Sequence, residues 1–220
     1  MNLDLLLRIV SAGYLLGSIP TGYLTGRAKG IDIRKHGSGN IGATNVSRTL
    51  GKKYGIFVFV CDALKGLIAV RFGIYLSQHM AWNVVTTPDS ISIHMMPSAI
   101  AGIIGAFACI LGHNFPVWLK FKGGKGVATS LGVIIGLVPF AAAIAFALWV
   151  AILFASGYVS LASILATISV PVTVAFTARE HDRMPLLIFT SVATLLIVVR
   201  HKENIKRLLN GTESSFKKPK

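Results

Sequence analysis

Acidic side chains are scarce in this chain. Eight Asp and Glu stand against 22 Lys and Arg in 220 residues, a formal charge of +14. Charge of either sign makes up only 14% of the residues, where a soluble domain carries about 25%. Such a balance excludes an ordinary water-soluble surface. Cysteine is nearly absent too. Cys61 and Cys109 lie inside apolar runs, with no CxxC spacing and no His partner, so they read as buried reduced thiols. No metal site and no cofactor are expected. There is no repeat of 20–50 residues, no soluble domain, and no small-residue cleavage site after a short apolar core. A net charge this basic invites a nucleic-acid reading. That partner is rejected, because the Lys and Arg cluster in short loops between apolar segments, where they anchor cytoplasmic loops.

What the chain does have is hydrophobic length: 53% of its residues are apolar. About 20 such residues cross a bilayer. The first run extends from Leu3 to about Thr25, with Pro20 placed to kink or end the helix. Further runs cover Tyr54 to about Leu76, Ser98 to about Leu111, Val127 to Val138, Phe140 to Ala155, a stretch ending at Thr177, and Leu186 to Val199. Arg27 to Lys53 holds seven basic residues and one acid, Asp32, whereas Ser77 to Pro97 holds no Lys or Arg. The first loop is therefore expected in the cytoplasm and the second outside. Ser90 to His94 reads as a short strand or an interfacial segment. Ala178 to Pro185 reads as a mixed-charge loop, and Arg200 to Lys220 as a basic cytoplasmic tail. The expected fold is an all-α integral membrane protein. It is a seven-transmembrane helix bundle, N-terminus outside and C-terminus cytoplasmic, forming one domain over residues 1–220.

The loop Gly37-Ser38-Gly39-Asn40-Ile41-Gly42-Ala43-Thr44-Asn45-Val46-Ser47-Arg48 stands out. Its glycines let the backbone turn tightly and aim N–H groups at one point. Its hydroxyls and amides add donors, Arg48 adds a planar cationic fork, and nothing in it is acidic. That chemistry suits an oxyanion, a phosphate above all. The second candidate is Gly123-Gly124-Lys125-Gly126, at the start of a helix and preceded by Gly112-His113 and Pro116. It is not a Walker A loop, since Gly126 stands where Ser or Thr would hold Mg²⁺. Asp62 and Lys65 fall i, i+3 on one helix face inside an apolar run and are expected to pair toward the interior. Lys65 then lies near the mouth of the active site or fixes helix register. Two other classes fit parts of the pattern: a phosphate-ester transporter with glycine-broken helices, and a bundle that recruits anionic lipid.

Taken together, Ser38-Gly39-Asn40, Gly42-Ala43-Thr44-Asn45 with Arg48, Gly112-His113 with Pro116, Gly123 through Thr129, and Arg200-His201 with Glu203-Asn204 resemble the bacterial acyl-phosphate:glycerol-3-phosphate acyltransferases, the PlsY family. Ile41 stands where many members carry Pro. The resemblance covers the whole chain. It implies transfer of a fatty acyl group from acyl phosphate to the 1-hydroxyl of sn-glycerol 3-phosphate, giving lysophosphatidic acid and phosphate. This is the first acylation of bacterial phospholipid synthesis, without metal or cofactor, in the cytoplasmic (inner) membrane with the site facing the cytoplasm. Its partners are the two substrates and the lipid bilayer. Ser38, Arg48 and Lys125 are the expected catalytic contacts. Gly39, Asn40, Gly42, Thr44 and Asn45 shape the first loop around substrate, with Lys65 nearby. Gly123, Gly124 and Gly126 help Lys125 hold glycerol phosphate. The resemblance makes His201 and Asn204 substrate contacts and Glu203 structural. Histidine followed five residues later by aspartate, common in glycerolipid acyltransferases, is missing. The residues in that position are Ile41, Val84, Ala99, Trp118, Leu186 and Lys206.

Overall fold

A computed structural model describes residues 3–80, 85–87, 90–92 and 98–217. The chain folds as ten α-helices and one short hairpin among these residues. Contacts divide it into two compact units, Met1–Gly124 with Ala128–Leu137, and Lys125–Val127 with Val138–Lys220.

The first unit opens with α1 (Leu3–Ser18) and α2 (Thr21–Ala28). The single long run read from sequence is thus broken just before Thr21. Pro20 has no N–H to continue the helix and disfavours helical geometry at the residue before it. Next come α3 (Ala43–Leu50), the 29-residue α4 (Lys52–Met80) and α5 (Ser98–Asn114). β1 (Val85–Thr87) pairs antiparallel with β2 (Ser90–Ser92). Of the two readings of residues 90–94, a short strand or an interfacial segment, the strand is present over Ser90–Ser92, while Ile93 and His94 lie outside the described residues. Helices α1 and α5 approach backbone to backbone. A Cβ on Gly17 would stand 2.1 Å from the Cys109 carbonyl oxygen, and one on Gly112 would stand 2.2 Å from that of Tyr14. Small residues at the crossing make this contact possible, the usual packing device between helices in lipid. Nearer the glycine loops, Ile33, Ile41, Val46, Val58 and Leu119 form a buried apolar plug, ringed by Tyr23, Leu50 and Tyr54. Ile41, in the position where Pro was expected, is one of its buried members.

Helix α6 (Val127–Leu137) begins in one unit and continues in the other. The second unit then contains α7 (Pro139–Ser156), α8 (Val159–Thr177), α9 (Glu180–Arg200) and α10 (Lys202–Leu209). Gly157, at φ 77°, turns α7 into α8. Trp149 Nε1 donates to Ser163 Oγ at 3.1 Å, and Thr194 Oγ1 to the Thr167 carbonyl at 3.1 Å, tying α7 to α8 and α8 to α9. Helix α9 starts earlier than the apolar pattern indicated, absorbing most of the expected loop. Glu180 and Asp182 sit in its first turn, where carboxylates complement the positive end of the helix dipole. Phe154, Phe176, Ile188 and Leu195 project outward from α7–α9, all more than half exposed. Such outward apolar surface suits lipid.

Among the described residues, five segments are long and apolar enough to cross a membrane: Leu3–Ala28, Ser98–Leu119, Pro139–Ser156, Val159–Thr177 and Glu180–Arg200. The seven-span expectation adds α4 and α6. Helix α4 is long enough but carries Asp62, Lys65 and Arg71. Helix α6 has 11 residues, a rise of roughly 16 Å against a hydrocarbon layer of about 30 Å.

Candidate active site

The first glycine loop is organised by Asn45, buried at the start of α3. Its Oδ1 accepts the Ser38 N–H at 2.9 Å. Its Nδ2 points at the carbonyls of Asn40 (2.8 Å), His36 (3.0 Å) and Ile33 (3.3 Å). One amide thus satisfies a tight loop that has little secondary structure to do so, and its polar atoms are occupied within the loop. Asn40 Oδ1 accepts the Gly42 N–H at 2.8 Å, and Gly39 takes a left-handed φ of 70°. Upstream, Asp32 caps a 3-10 turn and binds the Arg34 guanidinium at 2.7 Å, which draws the carboxyl down to about 2. The loop leaves Ser38 and Gly39 exposed, with Arg48 exposed on the last turn of α3. Thr44 lies one turn before Arg48 on the same helix face.

The second loop packs on the same apolar plug through Leu119. Tyr14 Oη donates to the Phe115 carbonyl at 2.8 Å and fixes the loop to α1. Lys120 and Phe121 both take left-handed φ, 51° and 61°, to turn the chain back. The N–H of Gly123 then donates to the Asn114 carbonyl and that of Gly124 to the His113 carbonyl, each at 3.1 Å. These N–H groups, expected to face an anion, instead hold the loop closed. Trp118 and Phe121 point outward, in keeping with an interfacial position.

Asp62 and Lys65 form the ion pair expected from their spacing. Lys65 Nζ lies 2.8 Å from Asp62 Oδ1 and donates to the Ile19 carbonyl at 3.0 Å. Thr21 Oγ1 donates to the same Asp62 oxygen at 3.3 Å, and His113 Nδ1 is 3.7 Å from it. All of these belong to the first unit. Both charged side chains are almost fully buried, so Lys65 has its ammonium committed to protein partners.

In the second unit, Lys125 Nζ donates to Asn204 Oδ1. Asn204 is oriented from its other end, where Nδ2 donates to Glu213 Oε1 at 2.7 Å. Glu213 also accepts from Ser160 Oγ at 2.8 Å and Arg207 Nε at 2.7 Å. Burial alone raises the Glu213 carboxyl, but the donors Asn204, Arg207 and Ser160 outweigh it and hold the group below its ordinary value. His201 is buried, with Nδ1 2.8 Å from the Ile197 carbonyl. Burial first, then the nearby Lys125 charge, pushes its pKa down to about 4. The ring is neutral at pH 7, Nδ1–H donates to Ile197, and Nε2 remains as an acceptor.

Lys125, His201 and Asn204 thus belong to one unit, and Ser38, Gly39, Asn40, Gly42, Thr44, Asn45 and Arg48 to the other, with Lys65, Gly123 and Gly124. Gly126, at φ 85°, leads into α6. The residue that sequence reasoning missed is Glu213. The structural role expected of Glu203 falls to it, since Glu203 is exposed in α10. The available signal was Gly211, at φ 68°, which ends α10 and lets the chain return.

Helices that expose apolar surface and are long enough to cross a bilayer, joined by basic loops, define a helical membrane protein. Comparison with known proteins makes this specific. The profile of the glycerol-3-phosphate acyltransferase family matches residues 7–211. The glycerol-3-phosphate acyltransferase of Geotalea daltonii is 45% identical over 211 residues, 96% of this chain and 97% of its own. The crystal structure of PlsY (YgiH), an integral membrane glycerol 3-phosphate acyltransferase, in its glycerol 3-phosphate form has a TM-score of 0.81 at 42% identity, covering 96% of this chain and 95% of its own. Its lysophosphatidic acid form has a TM-score of 0.78 at 41% identity, with the same coverage. This chain belongs to the glycerol-3-phosphate acyltransferase family, the PlsY type, and is an acyltransferase enzyme.

Proposed function

We propose that the chain transfers a fatty acyl group from acyl phosphate to the 1-hydroxyl of sn-glycerol 3-phosphate, releasing lysophosphatidic acid and phosphate. The observation that carries this reading is the Lys125–Asn204–Glu213 chain. It holds an ammonium, a donor for a phosphate ester, through an amide that the Glu213 carboxylate orients, next to a neutral His201. Ser38, Arg48 and Lys125 act as the catalytic contacts, stabilising charge on the two phosphate groups. Asn40 and Thr44 contribute side-chain donors, Gly39 and Gly42 allow close backbone approach, and Asn45 keeps that loop in shape. Gly123, Gly124 and Gly126 set the path of the chain on either side of Lys125. His201 and Asn204 contact glycerol phosphate. Lys65 supports the site from its buried pair.

The reaction needs no protein base. The glycerol hydroxyl attacks the acyl carbon, and an oxygen of the acyl phosphate takes the hydroxyl proton. The bond between the acyl carbon and the bridging oxygen breaks, and hydrogen phosphate leaves. The enzyme's task is to hold two anions together and stabilise the developing charge.

The enzyme lies in the bacterial inner membrane as one domain of seven spans over residues 1–220, with the N-terminus outside and the two glycine-rich loops and the tail in the cytoplasm. The family match along nearly the whole chain supports the single domain, and the basic loops support the orientation. Reporter fusions after residues 35, 122 and 210 should read cytoplasmic and one after residue 88 external. A cytoplasmic reading at 88 contradicts the one-sided site. Glycerol 3-phosphate uptake by proteoliposomes, without product formation in detergent, would instead indicate a transporter.

A further inference from the structure

We propose that His113 is a positioning residue for the second glycine loop, with the buried Asp62–Lys65 pair holding the back of its ring. The imidazole is 5% exposed and faces a different group from each nitrogen. Nδ1 lies 3.7 Å from Asp62 Oδ1, the oxygen that also takes Lys65 and Thr21. Nε2 lies against Gly124: a Cβ built there would be 2.0 Å from it, with Cε1 at 2.8 Å and Cδ2 at 3.0 Å. The His113 carbonyl accepts the Gly124 N–H, and a Cβ on Gly123 would stand 2.2 Å from that same carbonyl oxygen. His113 therefore meets Gly123 and Gly124 through both its backbone and its ring.

A ring tip is ordinarily free to move aside for a methyl group. This one is enclosed, and moving it disturbs its approach to Asp62, which already carries the charge of Lys65. The Asp62–Lys65 pair is in turn fixed to the break between α1 and α2 through Ile19 and Thr21. A line of close contacts therefore runs from that break through Asp62 and His113 to Gly124, the residue immediately before Lys125. The buried ion pair serves the acyltransferase reaction by fixing where the Lys125 segment starts. This inference rests on the proposed reading of Lys125 as the glycerol 3-phosphate contact.

The test is a mutant cycle on the full-length protein in detergent, using Gly124→Ala, His113→Asn and the two combined. Asparagine keeps a polar group on the Asp62 side and removes the ring end that meets Gly124. Gly124→Ala alone should lower kcat/KM for glycerol 3-phosphate about a hundredfold, the loss that a displacement near 1 Å can cause. His113→Asn alone should raise KM for glycerol 3-phosphate roughly tenfold and leave KM for the acyl donor unchanged, a split that a general loss of fold does not give. Combined with Gly124→Ala, it should recover at least about tenfold of the loss, because the clash is gone. Losses in the double variant equal to the product of the single ones overturn the proposal. If His113→Asn does not accumulate, a normal KM for glycerol 3-phosphate in Gly124→Ala overturns it equally. The unsubstituted enzyme is assayed in parallel with acyl phosphate and an acyl thioester. Product from the thioester alone rejects the donor assignment, and the cycle is then read with that donor.

Discussion

Removing one member of the Asp62–Lys65 pair should cost far more stability than removing both. The ammonium and carboxylate are 2.8 Å apart, with side-chain exposures of 5% and 3%. Neither has water to fall back on when its partner is lost. Stranding a buried charge costs about 3–5 kcal/mol, whereas replacing the whole pair by apolar side chains of similar volume is often neutral. For a chain of this length, 1 kcal/mol corresponds to roughly 2–4 °C in Tm, so each single variant should melt about 6–20 °C lower. Among the described residues, Asp62→Leu leaves Lys65 the Ile19 carbonyl, a neutral acceptor, and Lys65→Met leaves Asp62 the Thr21 hydroxyl, a neutral donor. Asp62→Leu with Lys65→Met should melt within about 4 °C of the unsubstituted protein. Thermal unfolding in detergent, followed by intrinsic tryptophan fluorescence, reads all four proteins. Equal losses in the single and double variants would refute the reasoning, because the two charges would then not depend on each other.

Arg48→Ala and Lys125→Ala should each lose about ten- to a hundredfold or more in kcat/KM while still inserting in the membrane, since charged hydrogen bonds are worth roughly 1.5–3 kcal/mol. Arg48→Lys should recover only part, because a point charge does not replace a planar fork; near-normal turnover in either alanine variant removes that residue from the site. Glu213 has a folded-state pKa below its ordinary value of 4.5, so its stabilisation is full above that value and fades as pH falls through the lower folded-state pKa. The Tm gap between the unsubstituted protein and Glu213→Gln should accordingly be widest near pH 7 and close below the ordinary carboxylate range. For the proton, His36→Gln, His113→Gln and His201→Gln are measured for kcat across pH at saturating substrates. With His201 held near 4, a base role would place an acidic limb there; a variant that loses a hundredfold or so in kcat, keeps its KM and loses that limb would disprove substrate-assisted transfer.

Some of this architecture is legible in the sequence because it is local. Glycines and short polar side chains within twelve residues declare a tight polar loop, and Asn45 satisfying that loop is a relation over a few positions. The Asp62–Lys65 pair follows from helical spacing and the cost of a lone charge in lipid. The break at Pro20 follows from its missing N–H. Other features depend on distant partners and leave no pattern. Glu213 gains its importance from Ser160, 53 residues away, and from a return of the chain after Gly211. Gly123 and Gly124 look like donors to an anion until the carbonyls of Asn114 and His113 arrive to take their N–H groups. Helix α9 begins at Glu180 because charge at a helix start helps where an apolar count registers only polarity.

The central claim is the reaction itself, and purified full-length protein given acyl phosphate and sn-glycerol 3-phosphate, with no metal and no other acyl donor, tests it most directly. The account predicts lysophosphatidic acid acylated at the 1-position and one phosphate released per molecule formed. Product appearing only when an acyl thioester replaces acyl phosphate, or phosphate released without lysophosphatidic acid, would contradict it.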